Sequence, residues 1–499
     1  MFRWFAAVLV ALLIVAGVVY FAAGRTTPPS VSIDRPTGAV GQQGTLQFTV
    51  GAPHGFVSAL SASITQNGNT YPLYSLDAPH DAAVSHTDPD HVQVTRPLGK
   101  ISVPELQQGS ATITVTATRT SFLRLRQVEA SATRDVQIRL EPPRISVVST
   151  KHYLNHGGSE FVVYRATPAD VESGVRVGDV EYRGFPGSGA GLSDPGVKVA
   201  FFALLHDQPL HSPVLAFARD AAGNEAHVPF IDQVFEKPFR KSQIVVDDAY
   251  FNRVVPDILE HTPGLKVDNP SDPLAGFLAV NGELRRRNAV QIVALTSNSA
   301  PELLWKGPFM QLGNSQVEAA FADDRTYMVK GKKVDEQTHL GFDLAVTARI
   351  PVLASNSGKV VNASYLGIYG NCVIIDHGMG VASLYGHMSA IDVKVGDSVD
   401  KGQTLGRSGQ TGLAGGDHVH FTMLVDGRPV NPVEWWDPHW IHDRVLRKLA
   451  EAGVSGEGAA QDQPAAHVPP GSGKGPAGSA AGRRARGHGG VDYSGARRD

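Results

Sequence analysis

A single cysteine, Cys372, stands in the 499 residues, so no disulfide can form within the chain. It lies in the run Asn371-Cys372-Val373-Ile374-Ile375, which has strand character, and reads as a small core hydrophobe rather than a nucleophile or ligand. A surplus of charge is missing as well. The 45 basic and 48 acidic side chains leave a formal net charge of −3. With no nucleic-acid motif beside that balance, nothing recommends nucleic acid as a partner. Charged residues make up 19% and hydrophobic ones 42%, which describes a globular rather than a disordered chain, and the length calls for several folded units.

Charge is wholly absent from Phe5 to Ala23, a run made mostly of Ala, Val, Leu, Ile and Phe. At 1.5 Å per residue, about 20 such residues cross a bilayer core of roughly 30 Å. Trp4 and Tyr20 sit near its ends, where amphipathic rings favour the interface. Residues 1–24 are therefore expected to form a single-pass transmembrane signal anchor. Cleavage as a signal peptide is the rival, with Ala22 and Gly24 as small-residue positions, although the apolar part of such peptides is usually about 7–15 residues. Arg3 and Arg25 flank the run on opposite sides, so charge does not orient it. Either way the remainder is exported, to the periplasm or the cell exterior.

The exported portion is expected to be mainly β. Residues 30–142 alternate in strand fashion, as in Thr45-Leu46-Gln47-Phe48-Thr49-Val50 and Ala111-Thr112-Ile113-Thr114-Val115-Thr116, with turn chemistry such as Asn67-Gly68-Asn69 between. This predicts a β-sandwich module. A second unit, 143–235, begins after Pro142-Pro143. Its last hairpin, Val214–Arg219 with the turn Asp220-Ala221-Ala222-Gly223-Asn224, resembles the closing hairpin of bacterial immunoglobulin-like modules. Such modules serve as spacers or as surfaces for envelope-protein partners, and neither carries a catalytic constellation.

Over 236–324 the period changes to a helical or mixed linking segment. Asp272-Pro273 is an N-cap and first-turn pair for a helix over Leu274–Leu295, despite Gly276 and Gly282. A shorter helix is expected after Asp247-Asp248. The segment from Glu236 to Phe321 is expected near the groove of the next domain, either limiting access to it or only fixing a spacer's angle. Strands resume near Arg325, with a hairpin at Val329-Lys330-Gly331-Lys332. The final stretch, 451–499, is rich in Gly, Ala, Pro and polar residues and is expected to be disordered.

The chemistry lies between 325 and 440. The pattern His-x-x-x-Asp occurs four times, at His86/Asp90, His339/Asp343, His439/Asp443 and His488/Asp492, so by itself it selects nothing. His-x-His occurs once, at His418 and His420, a spacing that chance supplies about once in a chain this rich in histidine. Their company is what matters. Thr338-His339-Leu340-Gly341-Phe342-Asp343 is succeeded by Leu384-Tyr385-Gly386-His387-Met388, then a glycine-rich run from Gly396 to Gly412, then Asp417-His418-Val419-His420-Phe421. Side chains alternate along a strand, so His418 and His420 share one face, with Val419 and Phe421 on the other. Residues four apart in an extended segment also share a face, which lets His339 and Asp343 converge, although Gly341 bends that segment.

In order and spacing, about 100 continuous residues resemble the lysostaphin (LytM) type of zinc metallopeptidase. The resemblance implies a compact antiparallel β domain over 325–440. It implies zinc (Zn2+) held by His339, Asp343 and His420, with an open position for water, as in other three-ligand catalytic sites. His387 and His418 then stand beside the metal as the proton-transfer pair, with the division of labour between them open. The implied activity is endopeptidase cleavage of peptidoglycan crosslinks. A non-enzymatic envelope protein that binds or activates another hydrolase is the alternative, and such degenerate copies usually lack ligands that this chain retains. Some members carry a tyrosine shortly before the first ligand; 333–338 hold none here, and Tyr327 is the nearest.

Overall fold

Turn residues with left-handed backbone punctuate strands whose alternate residues are buried, and this repeats through most of the chain. Asn67 and Gly68, at φ of 51° and 80°, close the hairpin joining Phe56–Gln66 to Asn69–Ser75. The computed structural model describes residues 2–23, 27–52, 56–79, 81–88, 90–121, 126–313, 315–345 and 347–453. The disorder expected for 451–499 therefore falls, from 454 onward, outside the described residues.

Phe2–Ala23 is a helix, and its Trp4–Phe21 portion, with a mean hydropathy of 2.6, has no residue buried against the rest of the fold. Next, a four-stranded sheet (Ser30–Arg35, Gly44–Gly51, His91–Leu98, Ala83–Asp88) and a five-stranded sheet built on Phe56–Gln66, Gly109–Ser121 and Arg126–Ile138 share one core. Leu46, Phe48 and Val50 from the first meet Ile64, Ile113 and Val115 from the second. The 143–235 region contains two more four-stranded sheets, one centred on Ser159–Thr167 and Val197–Ala203, the other on Glu172–Val177 and Val214–Arg219. The hairpin expected at 214–224 is present, with Val214–Arg219 pairing Glu225–Pro229.

The helical change of period is also present. Asp247 caps Asp248–Glu260 by accepting from the Tyr250 amide, and Asp272 caps the next helix by accepting from the Leu274 amide, with Pro273 in its first turn. The run expected over 274–295 is continuous from Pro273 to Thr296, but a π-helical turn, Val280–Leu284, interrupts it. Such single π turns often mark functional positions.

C-terminal to this, one sheet has the order Gln316–Ala319, Phe342–Ala345, His418–Val425, Val381–Met388, Asn371–Gly378, Gly358–Tyr365, Ser398–Val399, with Arg428–Val430 beside His418–Val425. Cys372 is fully buried within it. A smaller sheet packs nearby, in which Lys241–Val245 runs parallel to Asp323–Val329, itself paired with Lys332–His339 through the Lys330-Gly331 turn.

No core boundary separates the 143–235 region from the C-terminal sheet. Phe201 stacks near Trp305 and Trp435, with ring centroids at 6.3 and 5.5 Å, and Phe309 lies 5.4 Å from Trp435. Polar ties cross the same seam. Glu434 accepts from Asn155 Nδ2, Ser159 N and Ser159 Oγ, and Lys448 donates to Glu160 at 2.8 Å with neither group exposed. Removing one partner of such a buried pair leaves an uncompensated charge and is strongly destabilising, so the contact ties the two regions together.

Because Trp435 is fully buried at the seam, Trp435→Ala is expected to lower stability by about 3–5 kcal/mol. Denaturant unfolding monitored by tryptophan emission and far-UV circular dichroism should show one earlier, coincident transition. Separate transitions for the two regions would contradict a shared core.

Candidate active site

Pairing between Phe342–Ala345 and His418–Val425 sets Asp343 directly opposite His420, so the carboxylate and the imidazole share a face. His418 lies two residues away on the same face, while Val419 and Phe421 enter the core behind the sheet. His339 arrives by a different route from the one its spacing implies. It ends the Lys332–His339 strand of the smaller sheet, and Leu340-Gly341 carries the chain across to Asp343. A Cβ on Gly341 would stand 2.5 Å from both His420 Nε2 and Thr422 Oγ1, so only glycine allows this crossing.

His387 departs from simple alternation too. Tyr385 pairs with Phe421 on the core side and Gly386 with His420 on the site side, so regular alternation would turn His387 into the core. A register shift inserts an extra residue opposite Cys372, and His387 takes a φ of 63°. This β-bulge re-aims the ring toward the site, a common use of bulges beside functional groups. The His387 ring then lies 4.7 Å from that of His418 and 5.8 Å from that of His420.

Backbone and hydroxyl partners fix the tautomers. A carbonyl can only accept, so the Nδ1–H groups of His339, His387 and His418 donate to Ala320, Thr411 and Gly416 respectively. Thr422 donates its hydroxyl proton to Leu340 O and accepts from His420 Nε2. His339 Nε2 and His420 Nδ1 consequently present lone pairs toward Asp343 Oδ1. The three atoms lie 2.9–3.0 Å from one another. Among the described residues this is the group whose donor atoms could hold a metal ion.

The electrostatics agree with the burial. Burial opposes ionisation of Asp343, yet the surrounding His339, His418 and His420 hold its carboxyl well below the usual range. Burial lowers His420 to about 4, leaving it neutral. His387 is also driven well down, first by burial and then by His418 and His420. His418 goes the other way: burial lowers it, but its contact with Asp343, at 3.4 Å, raises it overall.

The pattern of histidines did not announce Arg325, whose Nη2 donates to Asp343 Oδ2 at 2.9 Å. This contact occupies the oxygen that faces away from the imidazoles. Around the cluster a cleft of about 450 Å³ is lined by Tyr250, Tyr327, Tyr369 and Arg285, among others, with Ile244 to Asp247 forming part of its wall. The linking segment is thus brought to the groove. Its Phe251, Val255, Phe277 and Leu284 pack with Tyr327 and Ile368 in a core of their own. Asp376 and His377, by contrast, lie in structural networks with Ser299, Ala300, Ser357 and Ser383.

Residues 337–432 match the model for Peptidase family M23. This region of the chain is an M23 peptidase domain. Over 96 residues it is 42% identical to the peptidoglycan DD-endopeptidase ShyA of Vibrio cholerae, covering 19% of this chain and 22% of that protein. It is 41% identical over 95 residues to the DD-carboxypeptidase/endopeptidase Mpg of Neisseria meningitidis, covering 19% and 22%. The chain spans about a fifth of the length of these relatives. The catalytic domain of lysostaphin from Staphylococcus simulans is 27% identical, with 26% of this chain and 98% of that one covered and a TM-score of 0.23.

Gly341→Ala should push the His420 ring and the Thr422 hydroxyl away from each other, costing about 1–3 kcal/mol as overpacking does. Chemical denaturation measures the loss, and histidine NMR should show the His420 Nε2–H bond broken; an unchanged spectrum would contradict a crossing that only glycine permits.

Proposed function

We propose that this chain is a zinc-dependent endopeptidase that hydrolyses peptide crosslinks of peptidoglycan, held at the cell membrane by its N-terminal helix with the catalytic domain in the periplasm or outside the cell. The observation that carries the reading is the convergence of His339 Nε2, His420 Nδ1 and Asp343 Oδ1, each with its proton-bearing or second atom engaged elsewhere. Three lone-pair donors with no proton to share repel one another unless a cation lies among them, and two imidazoles with a carboxylate suit zinc. The match to Peptidase family M23 and the names of the relatives support the substrate class.

Zinc bound there would supply Lewis-acid polarisation of the scissile carbonyl and acidify a bound water. The chain's own residues do the rest. Arg325 holds Asp343 Oδ2, which keeps Oδ1 turned to the imidazoles. His387 and His418, each with Nδ1–H tied to a carbonyl, offer Nε2 to the cleft for accepting a proton and returning it to the leaving amine. Tyr327 and Tyr369 line the cleft.

The two sandwich regions, 30–142 and 143–235, are taken as immunoglobulin-like spacers that also offer surfaces to envelope-protein partners, and 325–440 as the catalytic domain. The exposed apolar surface of Phe2–Ala23, with Trp4, Leu12, Leu13 and Phe21 all open, supports membrane anchoring.

Digestion of purified peptidoglycan, with mass spectrometry of the fragments, tests the function: crosslinked dimers should fall to monomers, and a chelator should stop the reaction. Intact crosslinks with zinc-loaded protein would refute it. His339→Ala, Asp343→Ala and His420→Ala should each lose most of the metal, because two protein ligands hold it poorly. His387→Ala and His418→Ala should keep zinc by elemental analysis while turnover drops about 10²–10⁴-fold. Recovery of full-length chain in the soluble fraction of disrupted cells would count against the anchor.

A further inference from the structure

We propose that Arg285 binds a carboxylate carried by the peptide substrate near the scissile amide, which makes it a specificity-determining residue contributed by the linking helices. The inference rests on the peptidase reading above. Two arginines line the cleft, and they differ in one respect. Arg325 is neutralised by Asp343 and Asp323. Arg285 makes no ion pair with any carboxylate among the described residues. Its neighbours in sequence sharpen the contrast, since Arg286 and Arg287 both pair with Glu283 on the outer face.

Arg285 is not a loose surface cation. Its Nε donates to Asn281 O at 3.2 Å and its Nη2 to Asn281 Oδ1 at 2.7 Å. Asn281 is itself fully buried and fixed by donating to Asp335 Oδ2 at 2.7 Å. That chain of contacts originates in the π turn Val280–Leu284, which ends one residue before Arg285. A guanidinium has five N–H donors, so two are used for positioning and the rest remain for a ligand. Nη1 has no hydrogen-bond partner among the described residues.

Arg285 is half-buried and has no counter-ion among the described residues, so its charge is available to a ligand. A fork already held in place loses little freedom on binding, and its planar geometry matches a carboxylate through two parallel hydrogen bonds. Arg285 shares the cleft with Tyr250, Tyr369 and the His339/Asp343/His420 cluster, so a peptide seated at the cluster passes within its field. Asp247 and Glu318 also line the cleft; neither forms an ion pair with Arg285 in the structure, and Asp247 Oδ1 accepts the capping hydrogen bond from Tyr250 N.

The test compares two synthetic crosslink peptides that are identical except that one has its free carboxylates converted to amides, with zinc-loaded full-length protein in detergent. Charge-assisted hydrogen bonds contribute about 1.5–3 kcal/mol, so the wild type should prefer the acid by about 10–100-fold in kcat/KM, chiefly through KM. Arg285→Ala should collapse that preference toward one, and Arg285→Lys should restore part of it. Equal cleavage of acid and amide by the wild type would overturn the proposal, and this comparison decides the matter even if the alanine variant fails to fold. A variant that loses rate while keeping the preference would assign Arg285 a purely structural role and overturn it as well. If neither peptide were cut, the peptidase reading would fall first, a result distinct from equal cutting of both.

Discussion

The Asp343 carboxylate is buried, and most of the C-terminal architecture reflects how its charge is balanced. Taking a carboxylate out of water costs several kcal/mol unless charge and hydrogen bonds compensate. Compensation comes from three separate pieces of chain. Arg325 supplies positive charge directly at one oxygen, while His420 across the sheet and His339 from the end of a second sheet turn lone pairs to the other, where a shared cation would complete the balance. Shifting the 342–345 strand by one residue would turn Asp343 into the core and Phe342 and Leu344 toward the cleft. The buried state of those two side chains therefore guards the register on which the site rests.

The smaller sheet is held in turn by what precedes it. Lys241–Val245 pairs with Asp323–Val329, and the helices beyond it pack on Tyr327 and Val329. Arg253 extends this support across the groove by donating to Gly415 O at 3.0 Å, in the loop that leads into His418. Behind the main sheet the aromatic seam around Trp435 joins the catalytic region to the 143–235 sheets. The site thus sits between the main sheet and a helical wall, with the cleft between them.

Much of this was legible in the sequence, for reasons that are themselves physical. Two-residue periodicity put His418 and His420 on one face with Val419 and Phe421 behind. The Asp-Pro pair marked a helix start, and Lys330-Gly331 marked a tight hairpin. Three things were not legible. The spacing of His339 and Asp343 suggested one extended segment bent at Gly341, whereas the chain changes sheets there, for a reason that lies in the closeness of Thr422 and His420. His387 reaches the site through a bulge, and no local residue pattern signals a bulge. Arg325, Arg285 and the contacts of Phe201 with Trp435 depend on pairings between residues far apart in sequence, for which periodicity carries no information. The expected modular boundary near 235 likewise could not reveal a core that runs across it.

In the proposed site two imidazoles and one carboxylate hold a metal while two further imidazoles stand free. X-ray absorption at the zinc edge of the loaded protein tests this most directly. The expected shell contains two imidazole nitrogens, with oxygen filling the remaining positions and no sulfur. A third or fourth imidazole in the shell, which would draw His387 or His418 into coordination, would contradict it.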